Sequence, residues 1–253
     1  MDLVGALAGV SAFELVLIAV VAFIASLIGG IAGYGTGILM PLVLVPIAGP
    51  EAVVPIIGVT ALFTNSSRLV AFRAAVDWSR SVLVILAAIP TAALGAYGFT
   101  LLSGRGAALL IGATLIASVP LRRTLRRRGL TLELRGLAVG ALLYGLLAGG
   151  TTGSGVVLIS MLMASGLIGA AVIATDAAIS IVVGIVKVSV LGMAGAIDAR
   201  IIAFAVLIGL MTVPGAFVAK VLVDRMPVRV HTGILDSVVL LGGSALILGA
   251  LLR

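Results

Sequence analysis

Residues 12–48 carry a single charged residue, Glu14, yet five glycines fall between positions 29 and 37. The stretch reads Gly29-Gly30-Ile31-Ala32-Gly33-Tyr34-Gly35-Thr36-Gly37. A run this apolar belongs in a bilayer, where about 20 such residues span the hydrocarbon. A glycine cluster this dense does not stay a regular helix, because glycine loses backbone entropy there and bares polar backbone. Irregular backbone at membrane depth survives only where it is buried in protein or lines a wet cavity. A second interruption, Ala148-Gly149-Gly150-Thr151-Thr152-Gly153-Ser154-Gly155, occurs in the other half. Paired breaks in corresponding halves point to a transporter's binding site.

The 253 residues are 62% hydrophobic and 10% charged, against about 25% charged in soluble domains. This predicts an all-α polytopic membrane protein. The apolar runs lack a period of two, which argues against an outer-membrane barrel. The chain has no cysteine, so disulfides, thiolate catalysis and cysteine metal sites are excluded. His231 is the only histidine, which removes His-rich metal sites. No metal or cofactor is expected. Much of the +7 net charge lies near residues 122–135, so it reads as topology rather than nucleic-acid binding. The start, Met1-Asp2, lacks a basic n-region, so the first apolar run is expected to be a retained helix.

Apolar runs predict helices over 12–31, 51–73, 80–101 and 106–121 in the first half. Residues 37–48 form a short segment of roughly 18 Å, too little to span. The second half follows the same plan, with helices over 132–149, 168–195, 200–222 and 232–252 and a short segment over 155–166. The expected fold is therefore two homologous repeats, each of about four full transmembrane helices plus one short broken or re-entrant segment. Residues 1–121 form the first repeat, 122–135 a basic linker and 136–253 the second, within one membrane domain. Five crossings per half invert the second repeat, the arrangement of many carriers. If the short segments return to their own side, the halves become parallel repeats of four. The positive-inside rule puts the loop at 122–135 in the cytoplasm, where its arginines suit anionic lipid.

Each short segment begins directly after a glycine break. A helix N-terminus presents unpaired N–H groups and about half a positive charge. With the Thr36 or Ser154 hydroxyl beside it, each end suits an anion. Gly33, Gly35, Thr36 and Gly37 in the first break, and Thr151, Thr152, Gly153, Ser154 and Gly155 in the second, are therefore candidates to bind a sulfonate, sulfite or carboxylate. The competing explanation for either break is close helix packing through small residues, and the recurrence favours a site. The Gly-Tyr-Gly triplet at Tyr34 lacks the rest of a potassium filter's signature.

Arg68, with Asn65 and Ser66 beside it, reads as an anion contact or gate, or as a residue that snorkels to the membrane surface. Lys187 falls at the matching place in the second half. Asp176 and Lys187 share a helix face about 16 Å apart, too far to pair, so each needs another partner. An ionisable residue inside a membrane helix is a functional hypothesis by default. Asp176 is the candidate proton carrier, or alternatively a structural partner for a hydroxyl or cation. Asp77 and Asp198 are expected to cap helices.

These features together resemble the sulfite exporter TauE/SafE family, also described as a sulfonate-uptake permease family. The first break, a Gly-Pro turn, Gly58-Val59-Thr60, and Arg68 before Val76-Asp77-Trp78 carry the resemblance, followed by Pro90-Thr91-Ala92-Ala93-Leu94-Gly95-Ala96. Residues 149–155, Ala174-Thr175-Asp176 and Ile197-Asp198 echo it more faintly. The resemblance implies an inner-membrane carrier for sulfur oxyanions and organosulfonates.

The leading expectation is a secondary transporter working by alternating access, with Asp176 available for proton coupling. Its partners are a small anion, lipid and protons, not nucleic acid. An anion channel or passive membrane subunit is the alternative. An intramembrane enzyme fits less well, because no nucleophile–base pair or metal constellation is visible. No nucleotide-binding motif suggests direct ATP drive.

Overall fold

The computed structural model describes residues 5–32, 35–128 and 131–223, together with Ser244, Ile247 and Leu248. Among them are nine α-helices: α1 (Ala12–Ala32), α2 (Thr36–Ala48), α3 (Pro50–Phe72), α4 (Trp78–Thr100), α5 (Gly104–Arg128), α6 (Leu134–Gly150), α7 (Gly155–Ala164), α8 (Ala170–Met193) and α9 (Ala199–Val223). Five helices, α1, α3, α4, α8 and α9, include spans long and apolar enough to cross a membrane. The chain is an all-α, multi-pass membrane protein. Large apolar side chains such as Phe13, Val20, Leu86, Leu94, Val139 and Leu210 face outward, where lipid would cover them.

Local chemistry sets the helix starts. Ser11 and Glu14 form a reciprocal capping box at α1: the Ser11 amide donates to Glu14 and the Glu14 amide to Ser11 Oγ, satisfying two otherwise orphaned donors. Asp77 caps α4 by accepting the Arg80 amide at 2.9 Å. That amide holds the Asp77 carboxyl below its ordinary range. Asp198 accepts the Ile201 amide at 2.8 Å in the same way at α9. Both expected caps are present.

One expectation is corrected. The basic stretch foreseen as a loop over 122–135 is mostly helical, because α5 continues to Arg128 and α6 opens at Leu134, taking in Arg135. Arginine and leucine are good helix formers, and the positive charge of arginine suits a helix C-terminus. The expected last helix, 232–252, and His231 lie outside the described residues apart from Ser244, Ile247 and Leu248, as do Gly33 and Tyr34.

Helix pairing crosses between the halves. Helix α1 packs on α9 and α4 on α6, while α3 meets α8. The first two pairings are parallel. Gly145 lies against Ala88 and Thr91, and Gly149 against Ala92 and Ala96. Ser26 lies against Thr212 and Gly215, and Gly30 against Ala216 and Ala219. Small residues at four-residue spacing let these backbones approach closely. A Cβ on Gly149 would run into the Ala92 carbonyl. Helices α3 and α8 are antiparallel, since Arg68 meets Asp176 while Gly58, ten residues earlier, meets Lys187. One apolar cluster centres on Ile18, Met40, Leu44, Ile56, Ile111 and Phe204. A second centres on Val84, Leu137, Leu158, Leu162 and Ile179.

Candidate functional site

The two glycine breaks meet. Gly35 ends the first break and is wedged against α1, where a Cβ would run into the Ala25 carbonyl. Only glycine fits there, so α2 turns back from α1 within a few residues. In the second break Gly153 has φ +82°, a left-handed conformation that L side chains rarely adopt. It carries the chain from the end of α6 into α7. A Cβ on Gly37 would lie 3.1 Å from the Gly153 amide nitrogen. The starts of α2 and α7 therefore touch. Neither has a side-chain cap, so their first-turn N–H groups gain no partner from that source.

A cavity of about 120 Å³ lies at this meeting point. One water takes about 30 Å³ in the liquid, so a small oxyanion fits. Gly35, Thr36, Gly37, Asn65, Arg68, Thr151, Thr152, Gly153, Ser154, Gly155, Asp176 and Lys187 all line it. The structure thus brings together every described candidate except Ser66. Ser66 is exposed. Asn65 and Arg68, three residues apart, share a helix face, and Ser66 is turned roughly 100° from Asn65 by the helical repeat. Placing it beside them was the wrong phase.

Lys187 is buried. Its Nζ donates to the carbonyls of Ala148 at 2.9 Å and Thr151 at 2.8 Å. It thereby caps the broken end of α6, where the last carbonyls concentrate negative charge. An ammonium has three donors, and these bonds use two. Arg68 is also buried, not snorkelling. Its Nη1 donates to Asn65 Oδ1 at 3.1 Å and its Nη2 to Asp176 Oδ2 at 2.8 Å. The expectation that Asp176 and Lys187 require separate partners is met. Arg68 Nε, Asp176 Oδ1 and the Thr151 and Thr152 hydroxyls are buried without a hydrogen-bond partner. Buried polar atoms are normally satisfied, so this concentration marks a place for a polar ligand or water.

Sequence reasoning left out Tyr144 and Ser180, which also line the cavity, with Tyr144 Oη and Ser180 Oγ 3.5 Å apart. The available signal was helical phase: Asp176, Ser180 and Lys187 fall on one stripe of α8, and Tyr144 and Ala148 on one stripe of α6, with Thr151 just past its end. In charge, Arg68 and Asp176 cancel. Lys187 and two helix N-termini outweigh the C-terminal ends of α1 and α6, leaving roughly one positive charge.

Two broken helices joined at a positively charged cavity, inside a multi-pass helical protein, define a membrane transport protein. The family model described as Sulfite exporter TauE/SafE matches residues 18–246. The chain belongs to that family, a family of membrane transporters for sulfite and related sulfur compounds. No curated protein and no solved structure matches the chain.

Proposed function

We propose that the protein is a secondary transporter that carries a small anion, sulfite or an organosulfonate or similar sulfur oxyanion, across the inner membrane by alternating access. The observation that carries this reading is the contact between the starts of α2 and α7 beside the Lys187 ammonium. Two helix N-termini and a lysine offer hydrogen-bond donors and positive charge, which suits an oxyanion and disfavours a cation. The antiparallel α3–α8 pair and the exchanged α1–α9 and α4–α6 pairs support two inverted halves. In such carriers one half rocks against the other around a fixed midplane site. The cytoplasm is the side assigned to the basic end of α5 and the start of α6. Asp176 is the residue assigned to proton coupling.

The test is uptake into proteoliposomes of sulfite, an organosulfonate and a carboxylate, with and without a pH gradient. Wild-type protein should accumulate the sulfur oxyanions uphill when a gradient is imposed, and Lys187→Ala should lose most of that flux. Downhill flux alone, unaffected by the gradient, would indicate a channel. No anion flux from a folded preparation would sink the proposal.

A further inference from the structure

Arg68 is the cavity's second cation, and a carboxylate already holds it. Its Nη2 lies 2.8 Å from Asp176 Oδ2, with the two side chains 5% and 2% exposed. The pair is incomplete on both sides, because Arg68 Nε and Asp176 Oδ1 have no partner. Guanidinium grips a planar or tetrahedral oxyanion best through two parallel N–H groups. An anion entering the cavity therefore meets an arginine with donors to spare but with its charge already matched by Asp176.

The groups around Asp176 leave it no substitute cation among the described residues. Helix α3 presents Arg68 itself. Helix α6 presents Tyr144, an uncharged hydroxyl. On α8, Lys187 lies three turns away and is bound to the Ala148 and Thr151 carbonyls. At the start of α4, Arg80 is paired with Asp77 and bonded to the Ser165 carbonyl. The Asp77 amide donates to Thr175 Oγ1, next to Asp176. The exposed Arg73 lies in the turn between α3 and α4. A carboxylate pushed off Arg68 by a second anion would be an unpaired buried charge beside a like charge. Such states are strongly destabilising, and a proton removes the charge.

We infer that Asp176 is a built-in competitor for the transported anion at Arg68, so that each anion seated there leaves Asp176 protonated and travels with one proton. The proton is taken up on the Asp176 carboxyl from the side the anion enters. It leaves with the anion, when the carboxylate returns to Arg68. This rests on the anion-carrier reading and adds the residue that enforces coupling and the ratio it sets.

The test is calorimetric titration of the purified full chain with methanesulfonate, whose charge stays constant from about pH 5 to 8, in two buffers of different ionisation enthalpy. Sulfite serves as a second probe, corrected for its own protonation. Wild type should take up one proton per anion, with affinity falling about tenfold per pH unit once Asp176 is charged in the free protein. Asp176→Asn should bind more tightly at the alkaline end and lose the slope, while Asp176→Glu should keep it. Anion binding without proton uptake by wild type overturns the inference and leaves the carrier reading standing. An unchanged slope in folded Asp176→Asn also overturns it. If that variant does not fold, the wild-type proton count and Asp176→Glu decide. No binding of either anion by folded wild type overturns the carrier reading itself.

Discussion

Asp176→Ala will destabilise the folded protein by about 3–5 kcal/mol, the usual cost of removing one member of a buried ion pair. The variant leaves the Arg68 guanidinium buried with Asn65 as its remaining side-chain partner. The cost comes from the orphaned charge more than from the lost attraction. Replacing both partners with apolar residues, Arg68→Met with Asp176→Leu, should therefore recover most of the stability. Thermal unfolding in detergent measures both. Sulfite should raise the midpoint of Asp176→Ala more than that of wild type, because the anion takes the vacant place of the carboxylate and ligand binding adds to stability by mass action. If Asp176→Ala unfolds at the wild-type temperature, Arg68 and Asp176 are not a buried pair.

Gly37→Leu will remove transport while leaving the helices folded. A Cβ there meets the Gly153 amide at 3.1 Å, and the rest of the side chain projects into the meeting point of α2 and α7. Overpacking costs about 1–3 kcal/mol of folding stability, which leaves the helices folded while the side chain takes the space an anion would occupy. Gly98→Leu is the control, since nothing lies within 4 Å of a Cβ at that position. Initial rates of sulfite uptake should fall for Gly37→Leu and stay near wild type for Gly98→Leu. Equal rates in the two would show that the breaks do not need to be this close.

The breaks were legible because glycine density is a local property: nothing else in residues 12–48 explains a membrane helix that stops at position 32. Which residues of the two breaks touch was not, because no local pattern encodes the contact between Gly37 and Gly153. The same holds for Arg68 and Asp176, 108 residues apart. Asp176 was singled out as a costly ionisable residue, and Arg68 as an anion contact, a gate or a snorkelling residue; the cost of burying both charges is why they pair. The partners of Lys187 were unreadable for a different reason, since backbone carbonyls at a helix end leave no side-chain signature. Ser66 was misplaced by reading polarity without helical phase, although α3 supplies the phase. The basic end of α5 was taken for a loop because charge was weighed above helix propensity. The Gly145 and Gly149 pair announces a close packing face but does not name α4 as its partner.

The central claim is that the joined helix breaks and Lys187 form one anion site. Equilibrium titration of purified protein with sulfite tests it most directly, comparing wild type with Lys187→Met, which keeps most of the side-chain length and removes the charge. Wild type should show saturable binding at a single site, and Lys187→Met should bind at least about tenfold more weakly, a loss of about 1.4 kcal/mol. Saturable binding of equal strength in folded Lys187→Met, or none in folded wild type, would contradict it.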